Sequence, residues 1–211
     1  TEGELDEAQS QAVQLRASID ELEDAQSRLI SEKEALQIAL AQARDEVDAE
    51  AEAADPENTL LLELKDGTVV IEMRLDLAPK HVARIKELVR EGFYDGIVFH
   101  RVIEGFMAQG GDPTGTGTGG SGQNIDAEFS DEPHVRGTLS MARAASPNSA
   151  DSQFFIVFAR SRYLDGKYTV WGKVTEGMKF VSNIKRGDDN DNGAVDDPDK
   201  IISIRVAADV K

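Results

Sequence analysis

Two regimes of apolar spacing divide the chain. Over the first fifty residues Leu5, Ala8, Ala12, Leu15, Ile19, Leu22, Leu29, Leu36, Leu40, Ala43 and Val47 fall on alternating steps of three and four, with Gln26 and Lys33 completing the series. Such sustained 3.5-residue spacing keeps one stripe of a helix facing a partner helix, the pattern of a coiled coil. With Leu5 at a, Leu15, Leu22, Leu29 and Leu36 fall at d, and Gln26 and Lys33 become polar a positions of the kind that fix register and oligomer number. The segment therefore predicts a long helix over 1–54 and a homo-oligomer joined through residues 5–47. It has no Gly after Gly3, no Pro and no aromatic residue, so it cannot build a core of its own. The alternative is a single amphipathic helix folded back on its own domain. Residues 50–56 form the predicted linker, because Pro56 stops a helix and disfavours helix at Asp55.

From Glu57 the period shortens. Residues 60–64 and 68–73 are apolar, strand-like runs flanking Lys65-Asp66-Gly67, a hairpin turn. Pro79 opens a helix that reaches about Arg90, with Val82, Ile85, Leu88 and Val89 on its buried face and Gly92 past its end. Further apolar runs at 97–103, 137–141, 154–159, 169–174 and 200–206 read as strands, and 176–185 as a second short helix. Many short strands with only two helices predict an antiparallel barrel or sandwich over 55–211.

Composition narrows the function classes. Of 211 residues, 40% are apolar and 30% charged, a globular balance, and no apolar run approaches the roughly 20 residues that span a bilayer. The absence of Cys removes disulfides, thiol catalysis and thiolate metal sites, and is compatible with cytoplasm or periplasm. A net charge of −17 argues against nucleic acid as a partner, since phosphate binding needs clustered Lys and Arg. The excess is uneven: residues 1–54 hold 15 acids against 4 bases.

The chemistry gathers around Arg101, set among Phe99, Val102, Ile103, Phe106 and Met107, where a guanidinium is costly to desolvate unless it is used. Gln109 and Gln153 are likewise polar among apolar neighbours, and Phe154-Phe155 follows the second. These residues suggest an apolar pocket with one cation and a few directional amides. The segments FHRVIEGFMAQGGD at 99–112, LSMARAASPNSAD at 139–151, SQFFIVFA at 152–159 and YLDGKYTVWGKVTEGM at 163–178 resemble, in order and spacing, the cyclophilin-type peptidyl-prolyl cis-trans isomerases, and the MARAA form resembles their bacterial branch. The resemblance runs through about 57–208. It implies a mainly β fold, an eight-stranded antiparallel barrel capped by two helices, and proline-containing polypeptides as substrates. No cofactor is implied.

Carried over by position, the catalytic group comprises Arg101, Gln109 and Phe106, and the substrate-binding group Met107, Gly117, Ala142, Arg143, Ala144, Gln153, Phe155, Leu164 and Tyr168. Tyr163 stands where drug-sensitive members usually have Trp. Trp171 reads as core. Two other functions compete with isomerase: a binding module that merely holds proline-containing segments, and a helical scaffold that carries the barrel as cargo. A weaker motif lies further on, where Asp188, Asn190, Asn192, Asp196 and Asp199 with Gly193 follow the spacing of a calcium loop. There Pro198 and a predicted strand replace the exiting helix, which favours an acidic surface loop. The Gly-rich stretch at 115–120 lacks the Lys of a phosphate loop, and His81, His100 and His134 have no ligand spacing.

Overall fold

The computed structural model describes residues 55–210 throughout and, before them, positions 16, 22, 25, 26, 28–30 and 32–40. The chain divides into two units, Thr1–Ala53 and Ala54–Lys211. In the first, the described positions are helical, and Leu22, Leu29, Leu36 and Leu40 are exposed. The rest of the long helix expected over 1–54, and most of the heptad series through 5–47, lies outside the described residues. Among the described residues no helix is long and apolar enough to cross a membrane.

The second unit is built on eight strands. β1 (Thr59–Leu64) and β2 (Gly67–Met73) form the predicted hairpin, followed by α1 (Pro79–Arg90), β3 (Arg101–Ile103), β4 (Met107–Gly110), β5 (Thr138–Met141), β6 (Phe154–Val157), β7 (Val170–Glu176), α2 (Met178–Ser182) and β8 (Ser203–Val206). All pairings are antiparallel, in the order β3-β4-β6-β5-β7-β2-β1-β8. The sheet curves into a half-barrel rather than a closed one, since β3 and β8 share no ladder. The segments leading into those strands do meet, through bonds from Gly96 N to Ile201 O (2.8 Å), Ile201 N to Ile97 O (2.8 Å) and Phe99 N to Asp199 O (2.9 Å).

Side-chain alternation decides which face is inside. In β2, Val69, Ile71 and Met73 are buried while Thr68 and Glu72 are exposed, the period of two that one-sided strands impose. α1 turns His81, Val82, Ile85, Leu88 and Val89 inward, with Pro79 in its first turn where a missing N–H costs nothing. Trp171 lies in this core, edge-on to Phe154 at 5.8 Å.

Two expectations need correction, and one strand lay outside them. The run at 97–103 is a strand only over Arg101–Ile103, because 96–100 bonds to 195–201 as irregular chain. β4 is not resolved by the apolar runs at all, since Ala108, Gln109 and Gly110 carry no strand-like pattern. The second helix is shorter than 176–185. Glu176 still belongs to β7, Gly177 turns the chain at φ 79°, and the helix ends at Ser182.

Candidate functional site

β6 is buried on both faces. Phe154 and Ile156 join the main core, whereas Phe155 and Val157 point to the other side of the sheet. There they meet Met107 from β4 and Leu164 from the loop before β7, with Ile103, Phe106, Ala142 and Tyr168 packed around them. This second apolar cluster lies apart from the main core and opens to solvent at Phe106 and Tyr168. Phe155 is fixed by an edge contact to Tyr168 at 5.8 Å and by stacking on His134 at 6.3 Å.

Beside the cluster stands the cation. Arg101 faces Gln109 across the β3–β4 pair, and its Nη1 donates to Gln109 Oε1 at 3.2 Å. Gln109 Nε2 donates to Gln153 Oε1 at 2.9 Å, and Gln153 Nε2 donates to the carbonyls of Gly117 (3.0 Å) and Gly119 (2.8 Å). The chain of amides thus runs from the guanidinium to the Gly-rich loop. Two further bonds hold Arg101: Nε to the Asn192 carbonyl and Nη2 to Asn192 Oδ1, each 2.9 Å. A guanidinium has five N–H groups. Three are engaged here, leaving one on each terminal nitrogen. Burial pushes the Arg101 pKa below its ordinary value, with the Tyr163 and Tyr168 hydroxyls opposing. The group nevertheless stays charged at any relevant pH.

The Gly-rich loop is shaped from beneath by Asp112, which is only 1% exposed. Its Oδ1 accepts from Thr114 N (2.7 Å) and Thr114 Oγ1 (2.8 Å), and its Oδ2 from Gly117 N (2.6 Å) and Gly119 N (3.0 Å). Burial alone raises this carboxyl, but the four donors outweigh it and hold the pKa at about 2. Asp151 does the same for the next turn, accepting from Ser121, Gly122 and Gln123. The loop they shape borders a cleft of about 430 Å³ lined by Gln109, Gly117, Ala142, Arg143, Ala144 and Gln153. Arg143 does not reach into the open. Its guanidinium lies over Tyr168 at 4.6 Å and donates to the carbonyls of Lys167, Ala144 and Ala145.

All twelve candidate residues therefore gather in one region: Phe106, Met107, Phe155, Leu164 and Tyr168 in the apolar cluster, the six cleft residues beside it, and Arg101 joined to them through Gln109. The residues with calcium-loop spacing have partners within the protein. Asp188 Oδ1 caps its own turn by accepting from Asn190 N, Asn192 Oδ1 is occupied by Arg101, and Asp199 is held by Lys65 and by Lys185 N. Among the described residues no group of three or more His, Cys, Asp or Glu is placed to hold a metal ion. A hydrolase-like line of Ser140, His134 and Asp165 also exists, at 3.0 and 3.1 Å, but Ser140 is fully buried and its Oγ donates to the Thr169 carbonyl. No substrate reaches it.

Sequence reasoning placed Asn192 in a calcium-loop pattern rather than beside Arg101, and gave no role to Asp112 or Asp151. Asn192-Gly193 did carry a signal, since Asn before Gly favours left-handed backbone, and Asn192 has φ 50°. Asp112 gave none beyond following Gly110-Gly111, and Asp151 gave none.

Comparison with known proteins supplies the remaining evidence. Residues 59–206 match the family model described as cyclophilin type peptidyl-prolyl cis-trans isomerase/CLD. A probable peptidyl-prolyl cis-trans isomerase of Brucella suis is 57% identical over 173 residues, covering 76% of this chain and 88% of that protein. Peptidyl-prolyl cis-trans isomerase B of Bacillus subtilis is 48% identical over 128 residues, covering 59% and 89%. Among solved structures, cyclophilin AquaCyp293 from Hirschia baltica superposes with a TM-score of 0.67 at 31% identity, covering 75% of this chain and 77% of that one. A Cryptosporidium parvum cyclophilin type peptidyl-prolyl cis-trans isomerase, solved in the presence of the dipeptide Ala-Pro, gives 0.64 at 32% identity, covering 70% and 98%.

Proposed function

The chain belongs to the cyclophilin-type peptidyl-prolyl cis-trans isomerases, and on that premise we propose that Arg101 stabilises the twisted Xaa–Pro bond of polypeptides bound over the outer apolar cluster. Rotation about this bond faces a barrier of about 18–20 kcal/mol because amide resonance is lost, and uncatalysed exchange takes about 10–100 s. No bond is made or broken, so no nucleophile is needed. As the bond twists, the prolyl nitrogen regains its lone pair and becomes an acceptor. A cationic N–H aimed at that atom binds the twisted state better than either planar one, which is what lowers the barrier.

The observation that carries this reading is the two remaining N–H groups of Arg101, beside an apolar cluster on the outer side of the sheet. Phe106, Met107, Phe155 and Leu164 hold the proline ring while the preceding residue turns. Gln109 aligns the guanidinium. Ala142, Arg143 and Ala144 continue from the end of β5 along the cleft, which Gly117 and Gln153 also line, and offer backbone groups to an extended peptide. Arg101→Ala in a protease-coupled proline peptide assay is expected to lower kcat/KM about 100-fold, the scale of losing one preorganised donor. An unchanged rate, or no acceleration by the wild type, would refute it and favour a holding role.

A second part of the reading concerns assembly. The heptad series through 5–47, with Leu22, Leu29 and Leu36 exposed at d positions, supports a homo-oligomer joined by a coiled coil. Sedimentation of the full chain is expected to give a multiple of the monomer mass. A version starting at Asp55 is expected to run as a monomer, and equal behaviour of the two would refute the idea.

A further inference from the structure

The acidic loop at 188–195 is stitched to β3 on both sides of Arg101. Val195 N donates to the His100 carbonyl (3.1 Å), Val102 N to the Gly193 carbonyl (2.8 Å), and Gly187 N to the Val102 carbonyl (2.9 Å). Within the loop, Asp188 accepts from Asn190 N through its side chain (2.8 Å) and from Gly193 N through its carbonyl (2.8 Å). The turn so formed holds Asn192 at φ 50°. Asn tolerates that conformation better than most residues. Its carbonyl and its Oδ1 receive Nε and Nη2 of Arg101, each at 2.9 Å, so one residue grips two edges of the guanidinium.

Resting on the reading of Arg101 given above, we propose that Asn192 is a positioning residue for the isomerase reaction, holding the guanidinium plane in register with the twisting prolyl bond. Gln109 alone offers a single acceptor at 3.2 Å, which leaves the plane free to swing about that contact. The Asn192 pair removes that freedom. Both of its acceptors are also neutral. A carboxylate in the same place would grip as well but would offset the positive charge that the prolyl nitrogen meets in the twisted state. The loop and the residues just after it carry Asp188, Asp189, Asp191, Asp196 and Asp197, yet the residue turned to Arg101 is the amide.

Asn192→Gly is the informative variant, because Gly keeps the left-handed backbone and the carbonyl acceptor and removes the side chain whose Oδ1 bonds Arg101. It is expected to lower kcat about tenfold, the scale of one hydrogen bond to a charged group, with KM unchanged within about twofold. In the Arg101→Ala background the same change is expected to do nothing further, since Asn192 acts only through the guanidinium. Wild-type kcat in Asn192→Gly, a loss confined to KM, or an equal loss in both backgrounds would each overturn the inference. A slow Arg101→Ala beside a full-speed Asn192→Gly overturns this inference alone. A full-speed Arg101→Ala overturns the isomerase mechanism and this inference with it.

Discussion

Replacing Asp112 by Asn tests whether a buried carboxylate shapes the Gly-rich loop and, through it, the site. The native side chain is acceptor-only and meets four donors, two on each oxygen. An amide has one oxygen and one NH₂, so its NH₂ must face either the Gly117 and Gly119 N–H groups or the Thr114 N–H. Losing the charge-assisted bonds and leaving buried N–H groups unpaired costs about 2–4 kcal/mol of unfolding free energy at pH 7. The linkage argument gives a matching figure. A carboxyl at about 2 when folded and 3.8 when unfolded contributes about 2 kcal/mol of stability. Because the folded pKa is the lower one, that contribution is complete above the unfolded value and is lost as pH falls towards 2. At pH 3 the gap between wild type and Asp112→Asn should therefore narrow by about 1 kcal/mol. Urea unfolding of both proteins at pH 7 and pH 3 measures it. A gap below about 0.5 kcal/mol at pH 7, or one unchanged at pH 3, would refute the reasoning. Activity adds a second readout, since the carbonyls of Gly117 and Gly119 anchor Gln153 and a loosened loop should lower kcat/KM as well.

Gly119→Ala should destabilise by about 1–3 kcal/mol, because its Cβ would stand 2.2 Å from Asp112 Oδ1, and a thermal midpoint equal to wild type would count against the packing described. Phe155→Ala removes the aromatic wall between Tyr168 and His134 and is expected to cost about 3 kcal/mol in urea unfolding and to raise KM for proline peptides; an unchanged KM would remove Phe155 from the substrate wall. Burial lowers the pKa of His81, His100 and His134 against the opposing pull of Glu128, Asp112 and Asp165 respectively. Their folded forms thus bind protons less readily than the unfolded chain, so stability should fall as pH drops through about 6.5, and an NMR titration with any midpoint above 6.5 would contradict this.

The site was legible where local pattern and resemblance coincided. Alternation in β2 and the apolar face of α1 could be read directly, because each element exposes one face only. Arg101 among apolar neighbours was a plausible surface residue until the flanking motifs tied it to Gln109 and Gln153. β4 stayed hidden because Ala108, Gln109 and Gly110 owe their strand geometry to pairing with β3 and β6, not to propensity. The acidic loop hid its contact with Arg101 for a related reason. Its oxygen-rich spacing satisfies the ligand pattern of a calcium loop, but backbone bonds to residues 100–102, far away in sequence, turn Asn192 towards Arg101. No reading of residues 188–199 by themselves could contain that information.

The two-sided burial of β6 has a consequence for how this chain can change. Phe154 and Ile156 answer to the core while Phe155 and Val157 answer to the outer apolar cluster, so that cluster can change at 155 or 157 without repacking the interior. Inserting or deleting one residue in this strand would exchange the two sets and ruin both at once. The outer cluster is therefore open to point substitution and closed to length variation along β6.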